Sequence, residues 1–107
     1  MFRHVVMVCF TPEATDEQKQ ALREGLATMP EQIPEVRGYK FGPDAGLTPD
    51  NYDFVVVADF EDADGFLTYR DHPAHQKLVV DLLRPIMARR AAVQHEWRTA
   101  LPSDLPG

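Results

Sequence analysis

The sequence predicts an α+β subunit, a four-stranded antiparallel sheet with helices packed on one face. Three observations carry this. The elements follow the order β-α-β-β-α-β, the split βαβ or ferredoxin-like arrangement. The first and third strands are apolar on both faces, as the central pair of that sheet must be. Both helical regions start at marked signals, a capping box in one and a proline in the other.

Residues Arg3 to Phe10 read as the first strand. Phe2, His4, Val6, Val8 and Phe10 share one face; Val5, Met7 and Cys9 share the other. Thr11 and Pro12 end it. Thr15 then caps a helix, with Gln18 reaching back and Asp16 and Glu17 at the positive end of the helix dipole. Ala21, Leu22, Gly25, Leu26 and Met29 form its apolar stripe, and Pro30 is expected to end it. Ile33 turns inward from the connector Glu31 to Pro34. Val36 to Phe41 reads as a second strand, where Gly38 signals a bulge or a close backbone approach. Gly42 to Asn51 is loop by composition.

Tyr52 to Phe60 is the strongest strand signal, alternating Tyr52, Phe54, Val56, Ala58 and Phe60 with Asp53, Val55, Val57 and Asp59. Asp62 can cap a short helix from Ala63 to about Arg70. Pro73 favours a fresh helix start, with His72 or Asp71 as N-cap. That helix carries His75, Leu78, Val79, Leu82, Leu83 and Ile86 on one stripe, and Pro85 kinks or breaks its end. Arg89 to Trp97 reads as the fourth strand. One domain over 1–97 and a flexible tail over 98–107 are expected.

The helices cover one sheet face, so the apolar second face needs a cover. Pairing of two copies through the open sheet face supplies it. The chain has 107 residues and a net charge of −6, with 44% hydrophobic and 26% charged residues. An acidic chain lacks the basic face that nucleic acid requires and is repelled by an anionic membrane surface. A single cysteine, Cys9, allows no internal disulfide. The first strand is too short to span a membrane, and the expected location is cytoplasmic.

The stretch Tyr69 Arg70 Asp71 His72 Pro73 Ala74 His75 holds the chemistry. Together with the opening Arg3 His4 Val5 Val6 Met7 Val8 and the strand Tyr52 to Phe60, it resembles the stress-responsive A/B barrel domain family within the dimeric α+β barrel proteins. The stretch is similar to that family's Tyr-x-x-His-Pro-x-His signature, and the resemblance covers about residues 2 to 97. It implies subunits paired sheet to sheet into a dimeric α+β barrel. One branch holds cofactor-independent polyketide cyclases that close a ring by intramolecular aldol condensation. The resemblance to that branch implies His75 as general base, Tyr69 as its assistant and His4 as a pocket-lining residue. Phe54 stands where cyclases can carry a further histidine. His4, Phe54 and His72 make up the expected substrate-contacting set, and the expected ligand is an apolar carbonyl-containing small molecule. No cofactor and no metal are expected.

Physical reading of these residues adds detail. His75 shares the phase of Leu78 and Leu82, so it faces the sheet. Partial burial and the helix start both favour its neutral form, which a general base needs. The Tyr69 hydroxyl is suited to donate to a developing enolate oxygen. His72 precedes Pro73, which restricts it toward extended backbone and suits a cap. His72 and His75 straddle a helix start and lack the accompanying ligands of a zinc site. Two other readings share the fold: a non-catalytic, stress-related or ligand-holding dimer with structural histidines, and a cofactor-free monooxygenase-like enzyme.

Overall fold

The computed structural model describes residues 1–98. The expected tail lies outside the described residues from 99 onward. The chain runs β1 (Phe2–Phe10), α1 (Asp16–Ala27), α2 (Met29–Gln32), β2 (Gly38–Pro43), β3 (Phe54–Phe60), α3 (Ala63–Asp71) and α4 (Pro73–Leu78). A π-helical turn (Val79–Leu83) and a 3-10 turn (Arg84–Ile86) then lead into β4 (Met87–Glu96). The four strands form one antiparallel sheet in the order β2-β3-β1-β4. The strands that are apolar on both faces are the central pair, and the α+β ferredoxin-like subunit is the fold observed.

The capping box forms as the sequence indicates. Thr15 Oγ1 accepts from the Gln18 N–H at 3.1 Å, and Gln18 Oε1 accepts from the Thr15 N–H at 2.9 Å. The first helix stops earlier than Pro30, because the Thr28 hydroxyl donates back to the Gly25 carbonyl at 2.7 Å. The chain then re-enters helix as α2. Pro30 sits in its first turn, where the missing N–H costs nothing.

Several strand ends also differ from the sequence reading: β2 lies two residues later than Val36 to Phe41, so Gly42 and Pro43 are strand and not loop. β3 begins at Phe54, because Asp53 turns its side chain to accept from the Phe10 N–H at 2.8 Å. β4 begins at Met87, two residues before Arg89, and its pairing with β1 shifts register between Cys9 and Phe10. Gly38 marks the close approach: a Cβ there would lie 3.3 Å from the Asp59 carboxylate.

The core lies between the sheet and the helices. Val8, Phe54, Ala58 and Phe60 from the sheet meet Leu22, Leu26, Met29, Ile33, Tyr69, Leu78 and Ile86. Phe60, Leu22, Ile33 and Ile86 are fully enclosed, each contributing about 1.5–3 kcal/mol through removal from water. Gly25 lets α1 approach closely, since a Cβ there would lie 2.7 Å from Leu82 Cδ1.

Register places Val5, Met7, Val55, Val57, Ala91 and Val93 together on the opposite face. No helix among the described residues covers it, and Met7 and Val93 are 39% and 59% exposed. At its margin Arg3 forms a two-pronged pair with Asp59, at 2.7 and 2.9 Å, and lies 4.5 Å over the Trp97 ring. No helix among the described residues is long and apolar enough to cross a membrane.

Candidate active site

The junction between α3 and α4 builds the site. Asp62 caps α3 by accepting from the Gly65 N–H at 2.9 Å. α3 ends at Asp71, and His72 takes extended backbone, as the following proline dictates. His72 Nδ1 accepts from the Ala74 N–H at 3.0 Å, which makes His72 the N-cap of α4. Its ring therefore belongs to the helix start. It borders a shallow surface depression with Asp64 and Thr68, away from the cavity described next.

The break in the helix folds Tyr69 and His75 against each other, with ring centroids 4.2 Å apart. The end of α3 leaves backbone carbonyls without helical partners. That of Arg70 receives His75 Nδ1 at 3.1 Å and Gln76 Nε2 at 2.6 Å. A carbonyl oxygen can only accept, so His75 carries its proton on Nδ1 and leaves Nε2 with a free lone pair. Burial lowers the His75 pKa; the Arg70 carbonyl opposes this and the nearby His72 adds to it. The neutral form expected from the sequence therefore has burial as its main cause.

Between the sheet and the helices lies a cavity of about 280 Å³. His4, Val6, Val8, Phe54 and Val56 line it from the sheet, and Leu22 and Leu26 from α1. Tyr69, His75, Gln76, Leu78, Val79 and Leu83 close the helical side, and Arg84 and Arg90, both exposed, complete the lining. Of the five expected site residues, the cavity brings together His75, Tyr69, His4 and Phe54, and His72 is apart. Two wider surface depressions, beside Met1 and Trp97 and beside Asp44 and Tyr52, hold no histidine.

His4 is only 6% exposed. Its pKa is pushed down to about 4, first by burial, then by the charges of Arg90 and His75. Gln94 Nε2 lies 2.8 Å from His4 Nδ1. With the amide nitrogen so assigned, it can only donate, so Nδ1 accepts and Nε2 carries the hydrogen. The two cavity histidines thus hold opposite tautomers: His75 offers a lone pair on Nε2 and His4 offers an N–H.

Sequence reasoning missed a further residue. The Tyr39 hydroxyl lies 2.8 Å from that of Tyr69. Burial pushes the Tyr69 pKa up to about 12, and the Tyr39 hydrogen bond pulls against that rise. Either hydroxyl can donate in this contact. With Tyr39 as the donor, the Tyr69 O–H is left to donate into the cavity. Burial raises Tyr39 further still. Tyr39 and Gln94 were detectable in part, since both lie on the inward phase of their strands, opposite Ala58 and His4.

A family model described as Stress responsive A/B Barrel Domain matches residues 2–96. Among solved structures, a dimeric ferredoxin-like protein of unknown function from Thermobifida fusca YX is 38% identical, with TM-score 0.83 and 90% of each chain covered. A hydroxynitrile lyase from Passiflora edulis is 16% identical, with TM-score 0.82, covering 94% of this chain and 96% of its own. An antibiotic biosynthesis monooxygenase is 19% identical, with TM-score 0.73, covering 92% of this chain and 100% of its own. The last two show a shared fold alone. No curated protein matches the chain.

Proposed function

The chain belongs to the stress-responsive A/B barrel domain family, and from that premise we propose that its cavity carries out cofactor-independent proton transfer on a mostly apolar carbonyl compound. His75 is the base: its Nε2 takes a proton from the carbon beside the carbonyl. The electron pair moves into an enolate, whose oxygen receives hydrogen bonds from the Tyr69 O–H and the His4 N–H. In a cyclase-like reaction the enolate carbon attacks a second carbonyl of the same molecule. The new alkoxide then recovers the proton from His75, so the base is regenerated. His72 serves as the cap that sets α4, and Phe54 shapes the apolar wall.

One observation supports this reading above the others. His75 Nδ1 is held on the Arg70 carbonyl at 3.1 Å while the ring lies 4.2 Å from Tyr69, on a cavity walled mostly by apolar side chains. That is the orientation and tautomer a base needs.

The proposed assembly is a homodimer through the open sheet face. Its support is the contiguous apolar surface around Val5, Val57 and Val93 and the dimeric state of the 38%-identical structure.

The test is exchange of carbon-bound hydrogen for deuterium beside the carbonyl, followed by NMR in heavy water across a panel of aryl and alkyl ketones. The protein accelerates exchange for cavity-sized members, and His75→Gln lowers that rate by about 10²–10⁴-fold. Exchange unchanged in His75→Gln overturns the assignment. Ketone binding without any exchange leaves a ligand-holding dimer instead.

A further inference from the structure

The charge on the cavity wall runs against the charge of the chain. The sequence has 17 acidic and 11 basic residues, yet among the described residues the only charged side chains lining the cavity are Arg84 and Arg90. They come from separate elements, the 3-10 turn and β4. Neither pairs with an acid among the described residues, whereas Arg3, Arg37, Arg70 and Lys77 all do. The two guanidinium groups thus face solvent and cavity with their donors unspent.

The Arg90 charge also reaches inside. It is the second cause, after burial, of the depressed His4 pKa. A negative charge on an occupant would be stabilised by the same field. Guanidinium groups recognise carboxylates with paired hydrogen bonds. The rest of the lining is mostly apolar and includes Val8, the cross-strand neighbour of Arg90, with Leu22, Leu26 and Phe54.

We infer that the cavity takes an apolar carbonyl compound bearing a carboxylate, held by Arg84 and Arg90 while its carbonyl meets Tyr69 and His75. This rests on the cavity being the binding site proposed above, and it adds the substrate class. The acid end stays near solvent, so binding strips little water from the carboxylate. The ketone end enters the dry part of the cavity. An uncharged ester or amide of the same compound loses the paired contacts and keeps the apolar ones.

The probes are β-benzoylpropionate, a phenyl ketone with a terminal carboxylate, and its methyl ester, compared by titration calorimetry. The acid binds at least about tenfold more tightly than the ester, the scale of a charge-assisted hydrogen bond. Arg84→Gln and Arg90→Gln each erode that preference and leave ester affinity in place, and the double variant abolishes it. Added salt weakens the acid and not the ester. Both arginines are exposed, so the variants keep the wild-type melting temperature.

Equal binding of acid and ester, no binding of either, or a preference that survives in the double variant overturns the inference. The exchange assay separates this from the catalytic proposal. Preference for the acid with no hydrogen exchange sinks the base role of His75 and leaves the carboxylate site standing. Exchange with equal affinity for both probes does the reverse.

Discussion

Replacing His4 with leucine will flatten the dependence of stability on acidity. His4 stays neutral in the folded chain down to about pH 4, whereas an unfolded histidine takes its proton near pH 6.5. Between those values the unfolded chain binds more protons. Stability contributed by neutral His4 is therefore full above about pH 6.5 and is lost as pH falls toward about 4. A gap of about 2.5 pH units corresponds to roughly 3 kcal/mol lost between pH 7 and pH 4. The groups that set the gap are burial, Arg90 and His75, in that order. Asp59, held low by its pair with Arg3, adds a loss at still lower pH that is common to both proteins. Urea unfolding at intervals over this range measures the effect. The difference in unfolding free energy between wild type and His4→Leu narrows, or moves in favour of the variant, by about 3 kcal/mol as pH falls. Parallel curves would refute the argument, as would a His4 ring-proton titration centred near pH 6.5.

Other substitutions report on separate parts of the structure. Tyr39→Phe removes the hydroxyl partner of the buried Tyr69, costing about 1–2 kcal/mol of stability by denaturant melts; it also slows the exchange reaction with little change in ligand affinity. Phe60→Ala empties a fully enclosed site and costs about 3–5 kcal/mol, which calorimetry will show as a collapse of the melting temperature. Thr15→Ala dissolves the capping box and costs about 1 kcal/mol, measured by urea titration. Val57→Lys, at the centre of the uncovered sheet face, shifts the proposed dimer to monomer in light scattering, with hydrogen exchange at the cavity retained.

The fold was legible because period-two and period-3.6 patterns report burial directly. Val5, Val6, Met7 and Val8 are apolar in sequence, and only a central strand has use for that. Thr15 with Gln18 and His72 with Pro73 carry their helix starts locally, so both caps appear where the sequence puts them. The misses involve choices that local pattern cannot make. Pro30 can end one helix or open the next, and a hydroxyl from Thr28 decided it. The π-helical turn at Val79–Leu83 leaves no mark on a stripe counted at ordinary helical spacing. In the candidate site, Tyr69 and His75 were singled out through the resemblance of one short stretch to a family signature, and both line the cavity. The pair His4–Gln94 spans ninety positions and Tyr39–Tyr69 spans thirty. Both depend on strand register and helix placement, which a single sequence does not print. Arg84 and Arg90 look like ordinary surface charges until the cavity between them is seen.

Strand β1 divides its residues by parity. His4, Val6 and Val8 face the cavity, and Val5, Met7 and Cys9 face the uncovered sheet surface. A scan of substitutions along this one strand would therefore read as a comb, ligand defects at even positions and assembly defects at odd ones. The two traits can drift or be engineered separately, because neighbouring codons address opposite sides of a single layer of backbone. An inserted or deleted residue in β1 forfeits both at once, since every side chain beyond it exchanges duties.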